Sequence, residues 1–419
     1  MSTETSVVQK KVHKAFSGYG IELEYMIVDR KTLDIKPVAD APLHEASSED
    51  GGEASGDVER GEFGWSNELV LHVIELKTNG PAKDLSRLAE GFHREIIEIN
   101  RRLDKQGCSL APTAMHPWMV PDRETKLWPH DNNDIYDAYN RIFGCKGHGW
   151  SNLQSMHINL PFDGNTEFGK LHAAIRLVLP LLPALAASSP FFEGKKGAAM
   201  DNRLEFYRKN QARVPEIAGM IVPEAVFTRA AYEKEIFAKI FKAISPHDGD
   251  QLLQHEWLNS RGAIARFDRN AIEIRLLDIQ ECPAADIGIA ALVIALVKDL
   301  YDEKNVGYDA QCAWAASDLA VILDETIRSG ENANLHAKTY GKVFGVNDAK
   351  SMAQVTGTLI DRFLPNAPTA CVRPLEIIRS QGTLASRMIR ANETRGESLT
   401  AIMRRLTECL ARNVSFEVG

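Results

Sequence analysis

Acidic side chains sit where strands should be apolar. In Gly20-Ile-Glu-Leu-Glu-Tyr-Met-Ile-Val28, β-forming residues alternate with Glu22 and Glu24, and residues two apart in a strand project from the same face. Glu75 lies in Val73-Ile-Glu-Leu76. His157 and Asn159 share one parity in Ser155–Leu160, and Glu273 and Arg275 share one in Ala271–Leu277. Two carboxylates on one face repel unless a cation or a proton comes between them. A solvated face with nothing bound is the plainer alternative, since antiparallel sheets often have one. Glutamate is depleted in strands, however, and Lys or Thr would serve solvent better. The set therefore reads as one shared cation site.

Around these strands the pattern alternates between sheet and helix. Gly20–Val28, Val70–Thr78 and Ser155–Leu160 read as strands, and Ala263–Phe267 with Ala271–Leu277 reads as a tight hairpin about Asp268-Arg-Asn270. Asp84 is expected to cap a helix carrying Leu85, Leu88, Phe92, Ile96, Ile99 and Leu103, with Gly107 at its end. Ala173–Ala187 reads as a buried helix broken by Pro180 and Pro183. Ala285–Tyr301, Ala313–Arg328 and Glu397–Arg412 have helical periodicity. Residues 39–66 read as a loop whose acidic, Gly/Ser-rich part, 45–57, is expected to be mobile: a solvated hairpin loop rather than an active-site lid. Antiparallel patterning with long helical blocks predicts an α+β fold. No repeat or interdomain linker interrupts residues 1–419, so the chain is read as one catalytic unit. Its core is 18–300, and 301–419 is a helical part of the same unit.

Composition removes some classes. There are 49 Lys+Arg against 57 Asp+Glu, a net charge of -8, which does not suit a nucleic-acid binder. The 6 cysteines form no C-x-x-C pair, so a zinc ribbon or thioredoxin motif is not expected. Sparse cysteines suit a reducing compartment. Met1–Ala15 is polar, unlike a signal peptide. The apolar stretches Ala174–Phe192 and Ile287–Val297 fall short of an uncharged membrane span of roughly 18 residues. A cytoplasmic protein with no membrane partner is expected. A homo-oligomer is compatible with the sequence, which does not specify it.

The ligand types point to a hard divalent cation. Mg²⁺ and Mn²⁺ prefer oxygen donors, and Mg²⁺ shares its shell with substrate phosphates. One histidine and no cysteine match structural zinc poorly. Neither a P-loop nor a strand–G-x-G-x-x-G–helix unit is present, so an acidic floor holding metal ions would have to carry a polyphosphate. Glu193-Gly-Lys-Lys-Gly197 lacks the P-loop pattern and reads as a surface turn. His72, His116, His130 and His148 read as structural, as do Tyr19 and Tyr25, and Trp257 as core.

Taken in order, Gly20-Ile-Glu-Leu-Glu24, Val73-Ile-Glu-Leu-Lys-Thr78, Met156-His-Ile-Asn159 and Ala271-Ile-Glu-Ile-Arg-Leu-Leu-Asp278 resemble the glutamate–cysteine ligase family. The closer likeness is to its second class, the carboxylate–amine ligases. Ala187-Ser-Ser-Pro-Phe-Phe192 followed by Asn202-Arg203-Leu204 is similar to a stretch of that class. The resemblance implies a glutamine-synthetase-like fold, with an antiparallel sheet forming a concave funnel and helices on its outer face. It implies ATP and Mg²⁺ (or Mn²⁺) as cofactors, an acyl-phosphate route, and small-molecule carboxylate and amine substrates, the carboxylate being glutamate. Carried over by position, Glu22, Glu24, Glu75, His157 and Glu273 would be metal ligands and Arg275 would contact the transferring phosphoryl group. Glu68 matches an acidic catalytic position. Seven residues before Glu75, it must lie ahead of that strand or at a bulge. Asn159, Arg203 and Arg261 are candidates to hold substrate, the arginines as carboxylate clamps. His157-x-Asn159, with one histidine, is nearer the first class. Two other readings stay open: a guanidino or amino phosphotransferase, and a non-catalytic nucleotide- or metal-binding protein on the same fold.

Overall fold

The computed structural model describes residues 12–49, 53–335 and 339–418. Ten strands occur among them: β1 (Gly20–Asp29), β2 (Asp57–Arg60), β3 (Phe63–Asn67), β4 (Val73–Thr78), β5 (Cys108–Ala111), β6 (Ser155–Pro161), β7 (Phe191–Phe192), β8 (Lys195–Lys196), β9 (Ala263–Arg266) and β10 (Ala271–Asp278). β7 and β8 form a separate hairpin. The others make one sheet in the order β2-β3-β4-β1-β6-β10-β9, with β5 continuing beside the far half of β1. Each pairing in it is antiparallel, so the chain is a mixed helix and antiparallel-sheet protein.

Alternation assigns the two faces. Ile21, Leu23, Tyr25, Ile74, Leu76, Met156, Ile158, Ile272 and Ile274 are all fully buried on one face. The helices Leu88–Leu103, Gly164–Val178 and Pro283–Tyr301 cover it. Leu88–Leu103 buries Phe92, Ile96, Ile99 and Leu103 at the expected spacing, and Gly107, at φ 67°, closes the 3₁₀ turn Asp104–Gln106 that follows it. Pro283–Tyr301 is buried nearly all round, as a helix is when other elements surround it. One apolar cluster runs from Ile21 to Leu410, so the C-terminal helices share the core of the sheet.

Three expectations about elements need correction. Residues 39–66 are not a loop: Asp40–Glu49 is a helix, and β2 and β3 extend the sheet (50–52 lie outside the described residues). The acids of this stretch have a buried partner. Arg102, its side chain 1% exposed, contacts Glu45 and Glu49 as well as Glu98 of its own helix, while Leu43 and Ala46 enter the core. Asp84 does not cap the next helix. It accepts from the Ser86 amide, and the helix starts at Leu88 with Arg87 at the cap. The helix placed at Ala173–Ala187 instead begins at Gly164 and ends at Val178; the two prolines then confine the chain to a 3₁₀ turn and a short helix, Pro183–Ala186.

Candidate active site

Register carries the charged residues to one place. Glu24 stands opposite Glu75 across β1 and β4, and Glu22 opposite Lys77. On the other edge of β1, Glu22 faces His157 and Gly20 faces Asn159. Glu273 of β10 faces Asn159 of β6. Because all these positions have the same parity, they line the face that the helices leave uncovered. Gly20 is required there: a Cβ on it would lie 2.9 Å from the Asn159 Cβ.

At the centre, Glu22, His157 and Glu273 each offer a ligand atom, all within 4.8 Å of one another. His157 Nδ1 lies 2.8 Å from Glu22 and 3.7 Å from Glu273, and its Nε2 lies 3.8 Å from Glu24. Asn159 donates to Glu22 at 3.0 Å. Ser155 donates to Glu24 through its amide and its hydroxyl, at 2.7 and 2.9 Å. Ser66 donates to Glu75. Arg275 Nε is 3.0 Å from Glu273, and Arg266 Nη1 is 3.5 Å from it.

Crowding shows in the proton affinities. Burial, then the charge of Glu22, raises Glu75 to about 7. Burial, then Glu24 and Glu75, raises Glu68 well above the carboxylate range. For Glu22 burial acts upward too, but the hydrogen bond and charge of His157 outweigh it and hold Glu22 at about 2. Carboxylates that can ionise together only at such cost are what a divalent cation relieves, and a donor set of oxygens with one imidazole fits Mg²⁺ or Mn²⁺. Glu22, His157 and Glu273 would hold it, with Glu24 and Glu75 alongside.

The floor has two ends. Beyond Glu22 and Asn159 it opens into a cavity of about 540 Å³ that also touches Lys77, Arg269, Pro81 and Pro161. At the other end Glu68 sits between β3 and β4, ahead of the strand as its spacing requires. The helix Asn133–Phe143 passes over this end. Tyr136 accepts from Asn67, next to Glu68, and the Tyr139 ring is 5.2 Å from Trp150.

The two expected carboxylate clamps are placed otherwise. Arg203 is buried; its Nε donates to Asp278 at 2.5 Å and its other nitrogens reach the Arg275 carbonyl at 3.4 and 3.5 Å. Arg261 donates twice to Glu224 at 2.6 Å, and Nη1 reaches the carbonyls of Glu216 and Ile217. Both guanidiniums are consumed inside the protein, because each is enclosed where it needs an acceptor. Trp257 is half-buried and stacks on His255. His72 and His116 bond the carbonyls of Ser151 and Leu33, and burial lowers each to about 4. The lysines of the β7–β8 turn pair with Glu193 and Glu393.

Sequence reading missed Ser155, Ser66, Lys77 and Arg266. Ser155 and Lys77 were within its reach, each two residues from a named ligand. Tyr136 and Tyr139 carried no such signal, because the helix Asn133–Phe143 brings them to that end of the sheet.

Comparison with known proteins follows the same outline. The family model described as Glutamate-cysteine ligase family 2 matches residues 19–405. An uncharacterized protein of Archaeoglobus fulgidus is 33% identical over 355 residues, 83% of this chain and 93% of that protein. A putative glutamate–cysteine ligase 2 of Bradyrhizobium sp. is 25% identical over 291 residues, 68% of this chain and 62% of its own length. Among solved structures, a glutamate–cysteine ligase from Francisella tularensis in complex with AMP shares the fold at a TM-score of 0.58 and 12% identity, over 96% of this chain and 90% of that one. No helix among the described residues is long and apolar enough to cross a membrane.

Proposed function

This chain belongs to glutamate-cysteine ligase family 2, and from that membership we propose that it joins a carboxylate to an amine at the expense of ATP through an acyl phosphate. Glutamate is the proposed carboxylate and Mg²⁺ the proposed metal. Residues 1–419 are taken as one catalytic unit, built as a glutamine-synthetase-like funnel with the polar sheet face as its floor, working in the cytoplasm. One observation carries the reading: side chains from β1, β6 and β10, far apart in sequence, bring Glu22, His157 and Glu273 within reach of a single ion.

A bound divalent cation supplies charge neutralisation at phosphate oxygens. The chain's own residues do the rest. The cavity beside Glu22 and Asn159 receives the nucleotide, with Lys77 and Arg269 as cations at its edge. Arg275 presents a planar donor fork to the γ-phosphoryl group as the substrate carboxylate attacks it and ADP leaves. The neutral amine then attacks the acyl carbon, the bond from that carbon to the phosphate oxygen breaks, and the proton shed by the nitrogen leaves with the phosphate. Glu68 and the aromatic wall at the far end face the amine, and the wall limits water there, which would otherwise hydrolyse the acyl phosphate. Asn159 holds Glu22 in place and faces the same cleft.

The test is an ADP-release screen with pooled carboxylates, amino acids and amines in Mg²⁺, repeated with Glu273→Gln. Coupled product, metal dependence and a drop of about 100-fold or more in Glu273→Gln are expected. A stable phosphorylated amine or guanidine in place of a coupled product would make the protein a kinase. A signal that survives the substitution unchanged would remove the metal assignment.

A further inference from the structure

Arg275 stands in β10 where the pairing of that strand is irregular. Between Ile274 and Leu277 the pairing of β10 with β6 slips: Ile274 faces Ile158 and Leu277 faces Met156. Two residues, Arg275 and Leu276, thus oppose His157 alone, and bulges of this kind re-aim a side chain. Pairing with β9 also ends at Ile274, opposite Ala263. The Arg275 amide still donates to the Gly262 carbonyl at 2.9 Å, but its own carbonyl lies past the last β9 partner.

Arg203 occupies that place. Two nitrogens of its fork reach the Arg275 carbonyl, and Nε is fixed on Asp278 of the same strand. Asp278 is fully buried and is held in turn by the Ser188 amide and the Ser189 hydroxyl, both at 2.8 Å. The Ser189 hydroxyl also accepts from the Arg203 amide at 3.1 Å. Arg203 sits in the first turn of the helix Asn202–Tyr207, and two nitrogens of its fork meet the backbone of Arg275.

We propose that Arg203, anchored by Asp278, is a positioning residue that sets the bulge and so aims Arg275 at the transferring phosphoryl group. The proposal rests on the ligase reading and deepens it. Arg203 touches no reacting atom in this account; it replaces the strand neighbour that the Arg275 carbonyl lacks. Lysine can keep the charge opposite Asp278 but cannot span both acceptors.

The experiment is a cycle on the full-length chain: parent, Arg203→Lys, Arg275→Lys and the double variant, in ADP release with the substrate pair found in the screen. Arg203→Lys is expected to lower kcat by about 10- to 100-fold, the size of effect a small misplacement produces, with KM for ATP within about threefold. The double variant should be no slower than Arg275→Lys, since both changes remove the same aimed group. Losses that multiply, or Arg203→Lys turning over at the parent rate, overturn the proposal. If Arg203→Lys does not fold, Asp278→Asn takes its place in the cycle with the same expectation. A parent that releases no ADP with any pair refutes the ligase reading alone. The positioning claim is then decided by a crystal structure of Arg203→Lys: Arg275 displaced from Glu273 supports it, and Arg275 unmoved refutes it.

Discussion

Glu75 bears the clearest mark of the crowded floor. Its folded-state affinity for a proton, near 7, exceeds the ordinary 4.5, so the folded chain keeps a proton that the unfolded chain has lost. Stability from this group is present below about 4.5 and is lost as pH rises through about 7. The metal-stripped protein is therefore expected to lose thermal stability between about pH 5 and about pH 8. Added Mg²⁺ should raise the midpoint most at the upper end, where the acids are charged. Calorimetry with and without chelator measures both. A midpoint that climbs with pH in the metal-free protein, or an equal gain from Mg²⁺ at each end, would speak against an acid cluster built for a cation.

In the β9–β10 hairpin, the turn came out as its residues suggest. Asn270 takes φ 51° between strands paired in regular register, a conformation asparagine tolerates well. The strand's far end is shaped by packing instead. Leu276, displaced by the bulge, lies against the bare Cα of Gly262, where a Cβ would meet its Cγ at 2.6 Å. Gly262→Ala should push the bulge outward, costing about 1–3 kcal/mol by overpacking, and should lower kcat more than it raises KM. Denaturant titration and steady-state rates on one preparation separate the two effects. A variant as active and as stable as the parent would mean that the bulge is freely adjustable.

Across the whole molecule, a segment after the last helix, Leu399–Arg412, ties the C-terminus to the sheet's end. Phe416 is buried; its carbonyl accepts from Arg387 at 2.7 Å and its amide donates to Glu281 at 3.1 Å. Arg387 and Glu281 form an ion pair with side chains 0% and 1% exposed. Removing residues 413–419 would strip both charges of a partner in the interior. The cost is expected to be about 2–5 kcal/mol, read as a lowered thermal midpoint. An unchanged midpoint would show that water replaces the segment without loss.

The parity of Glu22, Glu24, Glu75, His157, Asn159 and Glu273 was legible from the chain alone, because side-chain alternation is a local property of extended backbone and needs no knowledge of neighbours. The helix Leu88–Leu103 was legible for the same reason, the spacing of Phe92, Ile96, Ile99 and Leu103 following from the helical turn. Arg203 and Arg261 read from the chain as substrate clamps, whereas the structure sets both on internal acceptors, because a guanidinium's partners depend on what folding places beside it. Asp278 is 75 residues from Arg203 and Glu224 is 37 from Arg261, separations across which no local rule reaches. The acid run at 45–57 was read as solvated because nothing in its spelling announces Arg102. Local geometry thus says which groups face the same way; long-range packing alone says which of them are free to meet a substrate.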